Sequence, residues 1–314
     1  MKLARPDVFH PRIVLASCPQ LLDGDGDDDG LVDALRARGL HARWLSWDDP
    51  QTENADLVIL RATWDYADRR EEFLAWTTRV RTMLNAPSVV AWNSDKHYLH
   101  DLAAAGIPVV PSDFLEPGDA VSAADFSGEV VVKPAIGAGS IDTLRFVDAG
   151  AAAAHTAGLL DSGRSALVQP YDDRIEAGET ALVFLGGEES HAFVKGPILP
   201  PQGEEPKLEA SGTFAEESLT SADPDVELWE AGYTVLDAAA SHLGIPRSEL
   251  LYARVDLIGT GTDAVLLELE LIEPSLGWRQ LDEKNRGLRQ RSFAVHVETA
   301  LDRLGLGPLS HRRP

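Results

Sequence analysis

Cysteine is almost absent from this chain, since Cys18 is the single example in 314 residues. No internal disulfide can form, which is typical of a protein of the reducing cytoplasm. Cys18 follows the apolar run 13–16, where we expect a small buried residue and not a nucleophile. Long apolar runs are missing as well: none approaches the roughly 18 residues of a membrane helix, and no signal-peptide core is seen near the N-terminus. The sequence therefore predicts a cytoplasmic protein without membrane contact.

Positive charge is also scarce, and the net charge at neutral pH is −23. Most of the surface should repel nucleic acid and anionic lipid, so neither is expected as a partner. A nucleotide would have to be held by a few placed cations or by metal ions. Lysine is rare beside arginine, and each interior lysine needs a reason, of which a compact phosphate contact is one. The six lysines are Lys2, Lys96, Lys133, Lys195, Lys207 and Lys284.

The run 130–140 is the stretch around which the other motifs are arranged. Three valines lead to Lys133 and a proline, and a small glycine-containing loop follows. This order predicts a buried strand that carries a cation at its end, then a flexible loop that closes over an anion. It is not a Walker P-loop, because no Gly-Lys-Ser/Thr follows the glycines, and a plain strand and turn is the alternative. The loop residues are Gly137, Ala138, Gly139 and Ser140.

Before this stretch, short apolar runs alternate with helical patterns. Runs 13–16, 42–45 and 56–60 predict parallel strands of a small α/β unit, whose ligands bind beyond the carboxyl ends of strands. Polar residues follow the third run at that place, and a salt-bridged structural turn is the alternative. They are Arg61, Trp64, Asp65 and Tyr66.

The acidic run 23–30 invites a calcium-loop interpretation, but Arg36 stands where the loop would need a bidentate glutamate. We favour a solvated loop that leads into a helix, whose N-terminal end attracts acids. Further on, the run 89–92 predicts a fourth strand. Asn93 or Ser94 should then cap a helix with Lys96 in its first turn, where a bound anion would account for the cation; a solvated lysine is the alternative.

The C-terminal half predicts mixed and antiparallel strands. Two apolar runs flank Gly186-Gly187 as a hairpin, residues 200–224 are expected to be either a mobile loop or plain disorder, and the runs 251–258 and 264–271 pair across a glycine-rich turn. Helices are expected at 149–160, 225–243 and 290–304.

The second hairpin carries the most specific pattern. Asp256 lies on one strand, and Glu268 and Glu270, two residues apart, project from one face of its partner. Carboxylates crowded together repel one another unless a divalent cation lies between them, and Mg²⁺ is the natural occupant. Outward-facing acids on a strand with an apolar inner face are the alternative.

In its order of parts the chain resembles the ATP-grasp superfamily of ATP-dependent ligases, from residue 13 to about residue 305. The resemblance implies that Lys96, Lys133 and Lys195 contact the phosphates of ATP beneath the loop 137–140. It also implies an adenine-binding hinge, a ribose-binding acid at Glu179 with Glu176 as the alternative, and Arg254 as the group that steadies the intermediate. The hinge residues are Gln169, Pro170 and Tyr171, and the acids of a site for two Mg²⁺ ions are Asp256, Glu268 and Glu270.

Four shorter motifs narrow the resemblance to the glutathione-synthetase-like branch. RATWDY (61–66), EEFLAW (71–76), WNSDK (92–96) and ELIEPSL (270–276) are most similar to the ligase family that closes O-ureido-D-serine into cycloserine. The resemblance implies an ATP-dependent carboxylate–amine ligase that works through an acyl phosphate in antibiotic biosynthesis. Its amino-acid-like substrate is expected to contact Arg61, Asp65, Tyr66, Glu273 and Ser275.

Other functions are kept open at this stage. A dipeptide or glutathione-type ligase would join two separate substrates, a nucleotide sensor would bind ATP without turnover, and an acidic scaffold of unrelated α/β fold would not bind it. The sequence does not determine the oligomeric state and is compatible with a homodimer. The expected architecture is α/β, becoming α+β in the C-terminal half. An N-terminal domain (12–106) precedes two lobes (107–168 and 169–308) that clamp the nucleotide.

Overall fold

In a computed structural model that describes residues 10–200 and 203–307, the N-terminal part forms a parallel four-stranded sheet. Its strands are β1 (Arg12–Ser17), β2 (His41–Ser46), β3 (Leu57–Ala62) and β4 (Met83–Leu84), in the order β2-β1-β3-β4. The near-continuous burial of β1 and β3 is that of parallel strands covered on both faces. The accompanying helices are α1 (Leu31–Ala37), α2 (Arg70–Thr77), α3 (Pro87–Asn93) and α4 (Tyr98–Ala104).

The prediction of a strand at 89–92 is wrong, because these residues lie in α3. Pro87 occupies the first turn of α3, where its fixed φ favours a helix, and this outweighs the β-branched pair Val89 and Val90. The predicted cap is also wrong: His97 precedes α4 without a side-chain cap, and Lys96 lies ahead of the helix. Asn93 instead donates to Leu269 O (2.8 Å) and accepts from Leu271 N (2.7 Å), which fastens α3 to the far end of the chain.

The second sheet is antiparallel and carries the lysine–glycine stretch. Its strands are β5 (Asp113–Leu115), β6 (Val130–Pro134), β7 (Leu144–Phe146) and β8 (Ala166–Pro170), in the order β5-β8-β6-β7, and α5 (Ala149–Asp161) packs against them. Lys133 lies near the end of β6, as predicted. The predicted boundary between residues 168 and 169 falls inside β8.

The third sheet is antiparallel and has five strands. They are β9 (Glu179–Leu185), β10 (Glu188–Lys195), β11 (Leu219–Ala222), β12 (Tyr252–Ile258) and β13 (Val265–Glu270), in the order β11-β10-β9-β12-β13. Gly186 and Gly187 both adopt positive φ in the β9–β10 turn, which confirms the predicted hairpin. Residues 201 and 202 of the predicted loop 200–224 lie outside the described residues, and the rest of it contains β11 and a bridge between Leu208 and Ala215. The helices are α6 (Val226–Leu243) and α7 (Glu283–Arg303), the latter starting earlier than expected.

The first and third sheets share one apolar core. Ile13 of β1 and Ile59 of β3 belong to the same buried cluster as Val183 of β9 and Phe293 of α7. This shared core fixes the N-terminal sheet against β9 and β12, and so holds the acids of β12 and β13 near the ends of the N-terminal strands. Within the described residues, no helix is both long and apolar enough to span a membrane.

Candidate active site

A cleft of about 440 Å³ lies where the three sheets meet. All three sheets contribute side chains, as the carboxyl end of β3, the end of β6 and the paired strands β12 and β13 converge there. Asp256 lies fully buried behind the wall of this cleft. The predicted site residues that line it are Tyr66, Lys96, Lys133, Gly137, Ala138, Gly139, Ser140, Gln169, Pro170, Tyr171, Glu179, Lys195, Arg254, Glu268, Glu270, Glu273 and Ser275.

Three lysines from three chain segments converge on the acids. Lys96 Nζ lies 3.1 Å from Glu268 Oε1, Lys133 Nζ lies 3.9 Å from Glu268 Oε2, and Lys195 Nζ lies 2.7 Å from Asp256 Oδ2. Burial lowers the pKa of Lys133, and the charges of Lys96 and Lys195 lower it further against the opposing effect of Glu268. An added phosphate would relieve this crowding of cations, since it supplies the anion that the three lysines share.

The acids and Arg254 form a buried charge network. The β12–β13 register pairs Asp256 with Glu268 and Arg254 with Glu270. Arg254 Nε donates to Asp256 Oδ1 (2.9 Å), and its Nη2 donates to Glu270. Burial would raise the pKa of Glu268, but the charges of Lys96, Lys133 and Lys195 hold it below its usual range. Glu268 is therefore a carboxylate throughout the neutral range.

The donor set suits a magnesium ion chemically, because Mg²⁺ prefers carboxylate oxygens. The pKa of Glu270 is raised to about 7, chiefly by burial, while Arg254 opposes the rise and the charges of Asp256 and Glu268 contribute to it. A cation bound among these acids would relieve that repulsion. In the described part of the chain no three His, Cys, Asp or Glu side chains are already arranged around a metal position, since Arg254 and Lys195 occupy the carboxylates.

The loop after β6 is covered by another segment. Gly139 adopts a φ of +63°, and a Cβ there would lie 2.6 Å from Thr213 O, so only glycine fits without strain. Ala215 N donates to Gly139 O (2.9 Å), which ties the loop to residues 203–218, hereafter called the lid. The lid and the loop 137–140 together line one side of the cleft.

The predicted hinge residues lie at the C-terminal end of β8, an inner strand of the second sheet. Gln169 Nε2 donates to Ser112 Oγ (2.9 Å), and the guanidinium of Arg145 lies 3.5 Å from the centre of the Tyr171 ring. Glu176 accepts from Tyr171 and Arg145 on the outside of the cleft, whereas Glu179 lines it and lies 2.8 Å from Lys195. Of these two acids, Glu179 is therefore the one that faces the cleft.

Two residues predicted to contact substrate do not line the cleft. Arg61, 1% exposed, donates to Asp28 Oδ2 (3.0 Å) and to Pro274 O (2.8 Å). Asp65 accepts from Trp47 Nε1 (2.7 Å) and from Arg69 (3.2 Å). Arg61 turns into the protein toward Asp28, whereas Asp65 is 12% exposed and pairs with Arg69 of the turn before α2. The alternative of a salt-bridged structural turn describes them better.

The acidic run 23–30 is partly buried, so the expectation of a solvated loop is wrong for its central residues. Asp27 accepts from the backbone N–H groups of Leu276 (2.8 Å) and Gly277 (2.9 Å), and clamps the turn that follows β13. Asp25 lines the cleft beside Trp64, whose Nε1 donates to it (3.3 Å). Sequence reasoning missed both residues, because the turn that Asp27 holds is 249 residues away in the chain.

Comparison with solved structures shows the fold class of the protein. The fold is that of the ATP-grasp ligases: it matches D-alanine–D-alanine ligase from Bacillus anthracis complexed with ATP with a TM-score of 0.65 at 12% identity, over 94% of this chain and 98% of that one.

The family follows from closer relatives. The family model "D-cycloserine synthetase DcsG, N-terminal domain" matches residues 13–85. The cycloserine biosynthesis protein DcsG of Streptomyces lavendulae is 37% identical over 271 residues, which cover 80% of this chain and 88% of that protein. The crystal structure of D-cycloserine synthetase DcsG matches with a TM-score of 0.77 at 31% identity, over 91% of this chain and 98% of that one. The chain therefore belongs to the DcsG family of ATP-grasp ligases.

Proposed function

We propose that this protein uses ATP to activate the carboxylate of O-ureido-D-serine as an acyl phosphate and then closes the molecule into D-cycloserine. The observation that carries the proposal is the convergence of Lys96 and Lys133 on Glu268 in a cleft that Arg254 also lines. Membership of the DcsG family supports the assignment of O-ureido-D-serine as the substrate. The ligase chemistry needs a site that orients two anions, ATP and a carboxylate, and neutralises their charge.

The first step joins the substrate carboxylate to the γ-phosphate of ATP. A carboxylate oxygen forms a bond to phosphorus while the bond to the β-phosphate oxygen breaks, which releases ADP. Lys96, Lys133 and Lys195 would neutralise the charge that develops on the phosphoryl oxygens. Arg254 has a guanidinium held rigidly by Asp256 and by the Ser275 carbonyl (3.0 Å), and it is placed to bind the acyl phosphate.

Asp256, Glu268 and Glu270 would hold magnesium, and two ions are proposed because all three ligands are carboxylates. When bound, the metal supplies Lewis-acid neutralisation of the phosphate oxygens. Arg254 and Lys195 contact oxygens of Asp256, and a bound triphosphate would give Lys195 an alternative partner.

The substrate ammonium group would bind Asp25. This carboxylate lines the cleft, receives only the N–H groups of Asp27 and Trp64, and has no ion-pair partner within the described residues. Burial raises the pKa of Asp25 and the neighbouring charge of Asp27 adds to the rise, so an ammonium ion would be a favourable partner. Tyr66, Glu273 and Ser275 complete the pocket on the same side.

Ring closure then forms the bond between the acyl carbon and the ureido nitrogen that is attached to oxygen, and breaks the bond between the acyl carbon and phosphate. Atom balance requires more than this, because the closed ring still carries a carbamoyl group that D-cycloserine lacks. Hydrolysis of that group to carbon dioxide and ammonia completes the conversion.

The test is Mg²⁺-dependent release of ADP, measured with and without a panel of amino acids that includes O-ureido-D-serine. Release with that compound alone, together with a product of the mass of cycloserine, supports the proposal. Release only when an acid and an amine are supplied together makes the protein a ligase of two substrates. ATP that raises the melting temperature without any turnover identifies a nucleotide-binding sensor and contradicts the proposal.

A further inference from the structure

Glu273 differs from Asp256, Glu268 and Glu270, the acids of β12 and β13. Its side chain lines the cleft, is 7% exposed, and its Oε2 has no hydrogen-bond partner among the residues that the structure describes. Of the buried side-chain atoms left without a partner in that part of the chain, it is the one whose residue lines the cleft. A buried carboxyl without a partner is costly, so its retention calls for a functional reason.

The other central acids are engaged by cations. Asp256 contacts Arg254 and Lys195, Glu268 contacts Lys96, and Glu270 contacts Arg254, whereas no ion pair between described residues includes Glu273. Burial raises the pKa of Glu273 well above its usual value, and the charge of Glu270 adds to the rise, whereas Lys96, Arg61 and Arg254 favour the ionised form. Because its pKa is raised, the ionised carboxylate is a stronger proton acceptor than an ordinary glutamate. The groups that face it electrostatically are Glu270, Lys96, Arg61, Arg254, Tyr66 and Tyr252.

The turn that carries Glu273 is held on three sides. Arg61 donates to Pro274 O, Arg254 donates to Ser275 O, and Asp27 accepts from the backbone beyond them. Because Arg254 contacts both this turn and the acids of β12 and β13, the turn is fixed next to the position proposed for the acyl phosphate. A group held this rigidly can act on a reacting atom without a cost of reorganisation.

Ring closure needs a proton acceptor. The ureido nitrogen carries a hydrogen and its lone pair is delocalised into the carbamoyl group, so it is weakly basic and must lose its proton as it attacks. We propose that Glu273 is the general base that removes this proton. The N–H electrons form the new bond to the acyl carbon, the proton passes to the Glu273 carboxylate, and the phosphate leaves with the electrons of the carbon–oxygen bond and then takes up the proton directly or through water.

This assignment rests on the proposed function, and the experiment separates the two steps of the reaction. Hydroxylamine, a strong external nucleophile, traps an acyl phosphate as a hydroxamate without needing the base. In Glu273→Gln, hydroxamate formation from O-ureido-D-serine should match wild type, while ring closure falls by about a hundredfold or more. Glu53→Gln, which loses a surface partner of Arg79 outside the cleft, should leave both rates unchanged.

The remaining outcomes are decisive. Equal loss of hydroxamate and of ring closure, or unchanged ring closure, overturns the assignment of Glu273. Wild-type protein that yields neither ADP nor hydroxamate from O-ureido-D-serine removes the proposed function itself. If Glu273→Gln loses the rise in melting temperature with ATP, the same split is sought in Glu273→Asp. In Glu273→Asp, slower ring closure with wild-type hydroxamate formation supports Glu273 as the general base. Equal changes in ring closure and in hydroxamate formation overturn that assignment.

Discussion

The ring of Phe214 stacks on the ring of Trp64, with centroids 5.0 Å apart and planes 28° apart. Phe214 belongs to the lid, whereas Trp64 follows β3 of the first sheet and donates to Asp25. This one contact therefore joins the lid to the N-terminal sheet across the cleft, directly above the position proposed for the substrate ammonium group. Closure of this kind protects an acyl phosphate, which water would otherwise hydrolyse.

Replacing Phe214 by alanine should uncouple the two halves of the reaction. Loss of an aromatic pair costs about 0.5–1.5 kcal/mol, so the lid should open more often and admit water. We expect ADP release to exceed ring product, whereas wild type forms them in equal amounts. The measurement is the ratio of ADP to product. Leu208→Ala, an exposed change on the same segment outside the stack, should leave the ratio at its wild-type value. An unchanged ratio in Phe214→Ala would show that the stack does not seal the cleft.

Glu268→Gln should abolish ADP release at ordinary magnesium concentrations. The substitution removes a proposed ligand while leaving Lys96 and Lys133 free to hold phosphate, so metal binding should weaken by at least about tenfold. ADP release measured across a magnesium titration gives the concentration needed for half the maximal rate. ATP should still raise the melting temperature of the variant. A magnesium requirement equal to that of wild type would remove Glu268 from the metal site.

The elements that sequence patterns predicted correctly are those set by local chemistry. Continuous apolar runs gave β1 and β3, and the paired glycines gave the β9–β10 hairpin. The error at 89–92 has a local cause too, since four apolar residues are too few to distinguish a strand from a buried helix turn. Pro87, two residues earlier, was the available signal for the helix.

The site residues also divide into those that local sequence predicts and those that contacts distant in the chain determine. Lys133 at the end of β6 and the alternation of Glu268 and Glu270 were readable from spacing alone. Arg61 was assigned to the substrate pocket because strand ends meet there, yet its direction is decided by Asp28, which is 33 residues away in the chain. The periodicity of apolar residues in the sequence does not reveal a contact between residues this far apart. The position of Phe214 over the cleft was not predicted for a related reason, because a loop without hydrophobic periodicity does not indicate which residues it covers.

Replacing Arg61 by methionine should destabilise the protein strongly. The change leaves Asp28 buried without its cation, and breaking a buried ion pair costs about 3–5 kcal/mol. Arg79→Met is the control, because Arg79 pairs with Glu53 through side chains that are 52% and 41% exposed, and such pairs contribute about 1 kcal/mol or less. Denaturant unfolding measures both. Equal losses of unfolding free energy in the two variants would contradict this prediction. A stable Arg61→Met variant with a raised KM for the amino-acid substrate alone would show that Arg61 belongs to the substrate pocket.

His191 should make the stability of the protein depend on pH. The ring is buried under the turn after β13, where its Nε2–H donates to Leu276 O (2.7 Å) and its Nδ1 accepts from Ser190 Oγ (2.9 Å). The pKa of His191 is lowered to about 4, chiefly because the ring is buried, and Arg289 acts in the same direction while the contact with Leu276 opposes it. The neutral ring is thus the form that fits the fold.

The sign follows from proton uptake. Below about pH 6.5 the unfolded chain protonates this histidine while the folded chain does not, so acid favours unfolding. Stability that is fully present above about pH 6.5 is lost as the pH falls to about 4, by up to about 3 kcal/mol. His191→Gln can keep a donor to Leu276 but cannot titrate. On acidification from about pH 7.5 to about pH 5, the melting temperature of wild type should therefore fall further than that of the variant. Parallel falls would mean that other groups, and not His191, set the acid sensitivity of the fold.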